Sequence, residues 1–156
     1  MSINLIAVVG PTGTGKSDLG LRIAEEIFSH GGKAEIVNTD SMQFYRGMDI
    51  GTAKLSLEER RGINHHMLDV LEIQDESTAA EYQAQVRPLI TEMQSRGITP
   101  ILVGGSMLYI AAALNTFEFP ERDESIRAEL EADLEKFGSH TLHRRLAELD
   151  PLAASR

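Results

Sequence analysis

Two groups of residues have the types and spacing to do chemistry. Gly10, Pro11, Thr12, Gly13, Thr14, Gly15, Lys16 and Ser17 spell GPTGTGKS and fill every fixed position of G-x-x-x-x-G-K-[ST]. Glycines let such a loop curl tightly, so that its N–H groups point inward at phosphate oxygens. Lys16 would bring a point charge to the terminal phosphates, and the Ser17 hydroxyl is suited to holding Mg2+. The second group is NTDSMQFYRGMDIGTAK, residues 38–54, with Asp40 near its start. A carboxylate there could hold a metal through water or take a proton from a nucleophile. It could equally be a turn or cap residue. The residues alone leave both readings of Asp40 open.

The elements that must position these groups follow from apolar periodicity. Leu5 to Val9 is a continuous apolar run, expected as a central parallel strand buried on both faces. After the glycine loop, Leu19, Ile23 and Ile27 recur at helical spacing, and His30-Gly31-Gly32 ends that helix. Glu35 to Thr39 reads as a second strand and Met67 to Val70 as a third. Thr78 and Glu81 fit a capping box ahead of a helix carrying Tyr82, Val86, Ile90 and Met93, in which Pro88 predicts a kink or break. Ile98 to Val103 is a further strand, turned by Gly104-Gly105 into a helix with Leu108, Ile110 and Leu114. Alternation of this kind predicts an α/β fold, a parallel sheet flanked by helices. The phosphate loop and Asp40 would then lie beyond the carboxyl ends of strands, where such sheets bind ligands.

The character of the chain changes after Asn115. An acid-rich helix with Ile126, Leu130, Leu134 and Phe137 on one face is stopped by Gly138, and Leu142, Leu146 and Leu149 mark a second. Asp150 followed by Pro151 signals the N-cap and first turn of a third. The expected organisation is a P-loop domain over 1–115 and a helical segment over 116–156. A helix that starts so close to Arg156 reads as a chain cut short.

Composition narrows the classes. Fifteen Lys and Arg against 24 Asp and Glu give a net charge of −9, which speaks against bulk-charge attraction to nucleic acid but leaves room for a local basic groove. With no cysteine among 156 residues, disulfide frameworks and thiolate metal sites are excluded. There is no apolar run of membrane-spanning length and no signal-peptide pattern, so no membrane partner is expected and a cytoplasmic protein is.

The blocks GPTGTGKS, TDSMQFYRGMDIGTAK, NHHMLDV and ILVGGSMLYI, in that order, resemble the tRNA dimethylallyltransferases, or tRNA isopentenyltransferases. LHRRL, 142–146, and DPLAA, 150–154, resemble that family's helical insertion. The resemblance implies a P-loop NTPase-like fold and transfer of a dimethylallyl group from dimethylallyl diphosphate to N6 of an adenine beside the tRNA anticodon. It implies that residues 10–17 grip the diphosphate with Mg2+ at Ser17, and that Asp40 is the general base. It further implies contact with the tRNA anticodon stem-loop by Asp40, Ser41, Met42, Gln43, Ser106 and Arg127, in a full-length enzyme expected to be a monomer. Without the resemblance, Ser106 would read as a helix-start hydroxyl and Arg127 as a solvated charge. Thr14 and Ser106 exchange one hydroxyl residue for another relative to the family pattern, and Asn64 stands where proline is usual. His65 and His66, adjacent in a strand, would point to opposite faces and are expected to be structural or substrate-lining, with no zinc pair.

Three other readings accompany this one: an adenylate isopentenyltransferase, a small-molecule P-loop kinase with ATP in the loop, and an inactive diphosphate-binding fragment. Because the family is much longer and supplies more of the site beyond this region, the 156-residue chain is expected to show little transfer alone.

Overall fold

The computed structural model describes residues 5–115, 117, 119 and 123–156. The chain divides into two compact units, Met1–Phe117 and Glu118–Arg156.

The first unit is built on four parallel strands: β1 Ile6–Val9, β2 Lys33–Asn38, β3 His65–His66 and β4 Ile98–Gly104, in spatial order β1-β4-β2-β3. Helix α1, Lys16–Ser29, packs on one face through Leu21 and Ala24 against Val8, Ile36, Ile101 and Val103. The pleat turns Val37 and Leu102, both fully buried, to the other face. That side is covered by α2, Ala79–Ser95, with α3, Met107–Leu114, packed against α2. Between these helices Phe44, Tyr82 and Tyr109 form a ring cluster with centroids 5.1–5.3 Å apart.

Several sequence expectations need correction. Among the described residues β1 lies at the sheet edge and is not central: it pairs with β4 alone, and Val9 is 47% exposed. The third strand is His65–His66 and not Met67–Val70. Met67 and Asp69 take left-handed backbone, φ 58° and 55°, which ends strand geometry there. Of the kink or break expected at Pro88, the break does not occur: helix α2 is continuous through it. Proline removes one N–H, while the buried stripe Tyr82, Val86, Ile90 and Met93 continues on both sides of it and holds the helix to the sheet. In α3 the buried face is Tyr109, Ile110, Ala112 and Ala113; Leu108 and Leu114 are largely exposed. The capping box stands as expected: Thr78 Oγ1 accepts from Glu81 N–H at 3.2 Å, and Glu81 reaches back to Thr78 N–H.

The second unit contains α4 Glu124–Phe137, α5 Ser139–Leu149 and α6 Pro151–Ala154. Asp123 caps α4, and Asp150 caps α6 by accepting from Ala153 N–H, with Pro151 at the first helical position. No helix among the described residues is long and apolar enough to cross a membrane.

Candidate active site

The glycine loop leads from β1 into α1. Gly13 and Gly15 both have φ 81°, a left-handed conformation that side chains strain to adopt, and Gly15 is the residue from which α1 begins. The helix therefore presents its unpaired N–H groups and positive dipole end to the loop. Thr14 Oγ1 donates to the Pro11 carbonyl at 2.8 Å and Lys16 Nζ donates to the same oxygen at 2.5 Å, so Pro11 and Thr14 hold the loop's shape. The neighbouring turn comes close: a Cβ on Gly105 would lie 3.0 Å from the Gly10 carbonyl.

One cavity of about 310 Å³ joins this loop to the second group of residues. Thr12, Gly13, Gly15, Lys16 and Ser17 line one part of it, and Asp40 and Gln43 another. Ile36 and Val103 from strands and Leu55 and Leu68 from loops supply an apolar wall. The cavity is thus amphipathic, with anion-binding groups and hydrocarbon surface in one space.

Asp40 follows β2 and caps a short 3₁₀ turn, Ser41–Gln43, through Met42 N–H, which donates to Asp40 Oδ1 at 3.1 Å. The cap reading of Asp40 and its presence in the cavity are both realised, because only one carboxylate oxygen is used by the turn. Oδ2 has no hydrogen-bond partner among the described residues. Gln43 Nε2 donates to the Thr52 carbonyl at 2.9 Å, tying this turn to the following loop. Met42 is half exposed and lies outside the cavity lining, as does Ser41. Ser41 N–H donates to Ser106 Oγ at 3.4 Å, which brings Ser106, from the start of α3, beside the Asp40 turn. Arg127 lies in the second unit, where its Nε pairs with Glu131 at 2.8 Å.

The loop 49–54 is pinned from beneath. The Lys54 side chain is 3% exposed, and its Nζ donates to the Tyr45 carbonyl and Asp69 Oδ1, each at 2.7 Å, and pairs with Asp49 at 2.9 Å. Burial alone would lower its pKa, but bonds to the Asp69 and Asp49 carboxylates raise it, so the ammonium stays charged. His65 lines the cavity with its Nδ1–H donating to the Ile63 carbonyl at 2.8 Å, and burial pushes its pKa below the ordinary value. His66 faces Glu35, with Nε2 and Oε2 2.7 Å apart. The two histidines diverge, as adjacent strand residues do.

A Mg2+ ion would find a suitable donor. The Ser17 hydroxyl is a hard oxygen ligand on the cavity, and Mg2+ bound to a diphosphate needs only one or two such protein ligands beside water.

Sequence reasoning missed Asn38, Leu55, Leu68 and the buried Lys54. Asn38 was readable from the two-residue period of β2, which puts 36, 38 and then 40 on one side. Leu55 and Leu68 had no local signal, because the turns that bring them to the cavity are irregular.

Comparison with known proteins is consistent throughout. The family model described as IPP transferase matches residues 43–156. The tRNA dimethylallyltransferases of Clavibacter sepedonicus and Thermobifida fusca are 56% and 54% identical, over 97% and 96% of this chain and 50% and 47% of theirs. The chain thus spans about half the length of the curated relatives it matches. Among solved structures, the full-length tRNA isopentenylpyrophosphate transferase of Bacillus halodurans is 41% identical with a TM-score of 0.67, over 97% of this chain and 49% of that one. A eukaryotic dimethylallyltransferase acting on tRNA is 29% identical with a TM-score of 0.75, over 96% and 36%. With a family model matched over most of its length, the chain belongs to the IPP transferase family.

Proposed function

We propose that this protein transfers the dimethylallyl group of dimethylallyl diphosphate to N6 of an adenine beside the anticodon of tRNA. The observation that carries the reading is the single amphipathic cavity, in which the phosphate loop, an apolar wall and the Asp40 carboxylate meet. The names of the relatives support the same reaction.

In this reading the loop N–H groups and Lys16 take the diphosphate, and Ile36, Leu55, Leu68 and Val103 receive the five-carbon chain. The C1–O bond of the donor breaks, the N6–C1 bond forms, and the diphosphate leaves intact. Charge builds on the departing oxygen, where the preorganised amides and Lys16 stabilise it most. Mg2+, held by Ser17 and the diphosphate, supplies further charge neutralisation when bound. Asp40 accepts the N6 proton through the carboxylate oxygen that the turn leaves free. The adenine must leave its stack to reach the cavity, as bases do in other base-modifying enzymes. Gln43 and Ser106, beside Asp40, are positioned to contact it, with Ser41 and Met42 on the outer side and Arg127 as a further tRNA contact.

The test is label transfer from radiolabelled dimethylallyl diphosphate with Mg2+, offering unmodified tRNA or AMP as acceptor. The expected result is label on tRNA adenine, abolished by chelator, from a protein of the relatives' full length that contains this region, and little label from the 156-residue chain alone. Label on AMP alone would indicate a cytokinin-type enzyme. ATP turnover with no prenyl transfer would contradict the proposal.

A further inference from the structure

We infer that Asn38 is a positioning residue that fixes where the Asp40 carboxylate stands in the cavity, an inference that rests on the proposed prenyl transfer. Asn38 is the last residue of β2 and is 3% exposed, an unusual setting for a carboxamide. Each of its polar atoms is used. Oδ1 accepts from Asp40 N–H at 3.0 Å, while Nδ2 donates to the Asp40 carbonyl at 3.0 Å and to the Met67 carbonyl at 2.9 Å. One side chain thus grips both backbone groups of Asp40 and ties them to the segment that leaves β3.

The grip is itself anchored. The Asn38 carbonyl accepts from Tyr82 Oη at 2.9 Å, and Tyr82 is 3% exposed within the ring cluster on α2 and α3. On the far side of Asp40, Gln43 N–H donates to the Asp40 carbonyl at 3.1 Å, and Phe44 is 1% exposed in the same cluster. The Phe44 carbonyl in turn accepts from Val70 and Leu71 N–H. Asp40 is therefore held from the strand before it and from the turn after it. No other residue type offers this pattern at the same length. Aspartate would set a carboxylate against two carbonyl oxygens, and alanine would leave the Asp40 N–H and the Met67 carbonyl without their partner.

The test compares wild type with Asn38→Ala, Tyr82→Phe and Asp40→Ala, each made in a protein of the relatives' full length that contains this region, in three readouts: prenyl transfer to tRNA, Mg2+-pyrophosphate affinity, and amide hydrogen exchange. The inference expects Asn38→Ala to lower kcat roughly 10- to 100-fold, the range for a misplaced catalytic group. Pyrophosphate affinity and KM for the donor should stay within about twofold, well short of the tenfold change that 1.4 kcal/mol would bring. Exchange should speed up at Asp40 while the β4 amides remain protected. Tyr82→Phe, which removes only the hydroxyl behind the clamp, should give a smaller fall in kcat and serves if Asn38→Ala does not fold. Unchanged kcat in both variants, or pyrophosphate affinity lost in step with kcat, would overturn the inference. If wild type transfers no label, or Asp40→Ala matches wild type, the proposed reaction or the role of Asp40 fails instead. The clamp itself then stands or falls on the exchange at Asp40.

Discussion

Gly104 lies against Thr39 so closely that a Cβ on Gly104 would meet the Thr39 hydroxyl at 2.3 Å and the Asp40 nitrogen at 2.8 Å. The contact is between the end of β4 and the step from β2 into the Asp40 turn, joined also by Thr39 N–H donating to the Val103 carbonyl at 2.9 Å. Two strand ends approach here because one carries no side chain, and a side chain there would displace Thr39 and the Asp40 nitrogen joined to it.

Gly104→Ala is therefore expected to destabilise the fold by about 1–3 kcal/mol, the usual cost of overpacking against backbone. Transfer should fall by more than stability alone explains, since the folded fraction would carry a displaced Asp40. Urea unfolding and single-turnover transfer on the same preparation would show it; full activity in a folded Gly104→Ala protein would contradict it.

Lys54→Met removes the cation that gathers Asp49, Asp69 and the Tyr45 carbonyl. A cost of about 2 kcal/mol is expected, below that of a fully buried pair because both carboxylates reach solvent. The loop wall at Thr52 and Leu55 should loosen, which predicts weaker donor binding in calorimetry. Arginine should not restore it, because the site encloses a compact ammonium in contact with three oxygens.

Stability should fall on acidification in two stages. Burial, followed by the nearby Arg60 and His66 charges, holds the His65 pKa below 6.5 in the folded state, despite its bond to Ile63. Below pH 6.5 the unfolded chain takes up a proton that the folded form resists, so stability drops as pH falls toward the folded value. Burial of Glu35 works to raise its pKa, but hydrogen bonds to Asn64 and His66 bring it below 4.5. Its contribution is complete above pH 4.5 and is lost as pH falls through the folded value. Urea midpoints from pH 7 to 3 would follow this course, and His65→Asn should flatten only the upper stage.

How much of this was legible in the sequence depends on how local each cause is. The phosphate loop and the Thr78–Glu81 capping box are set by residues within a few positions of one another, and both were readable. The Asn115 composition change and the Asp150-Pro151 helix start were local in the same sense. Asp40 could be seen but not decided, because its cap and its free oxygen coexist. The Met67–Val70 run looked like a strand by apolarity. Bonds from Asn38 to the Met67 carbonyl and from Arg46 to the Asp69 carbonyl instead accompany left-handed turns. Those partners lie 29 and 23 positions away, beyond any local pattern. The Asn38 clamp was hidden for the same reason: its meaning depends on β3 lying beside β2.

Asp40 shares a cavity with the phosphate loop and, in the proposed reaction, takes no part in holding the diphosphate. The most direct measurement is single-turnover transfer from labelled dimethylallyl diphosphate to tRNA by Asp40→Asn, with Mg2+-pyrophosphate affinity measured alongside. Asparagine keeps the acceptor for Met42 N–H and so preserves the turn, while losing the basic oxygen. The predicted result is a fall in transfer of at least about 100-fold, the scale of general base catalysis, with pyrophosphate affinity unchanged. Transfer at the wild-type rate, or a loss of pyrophosphate binding that accounts for the whole effect, would contradict it.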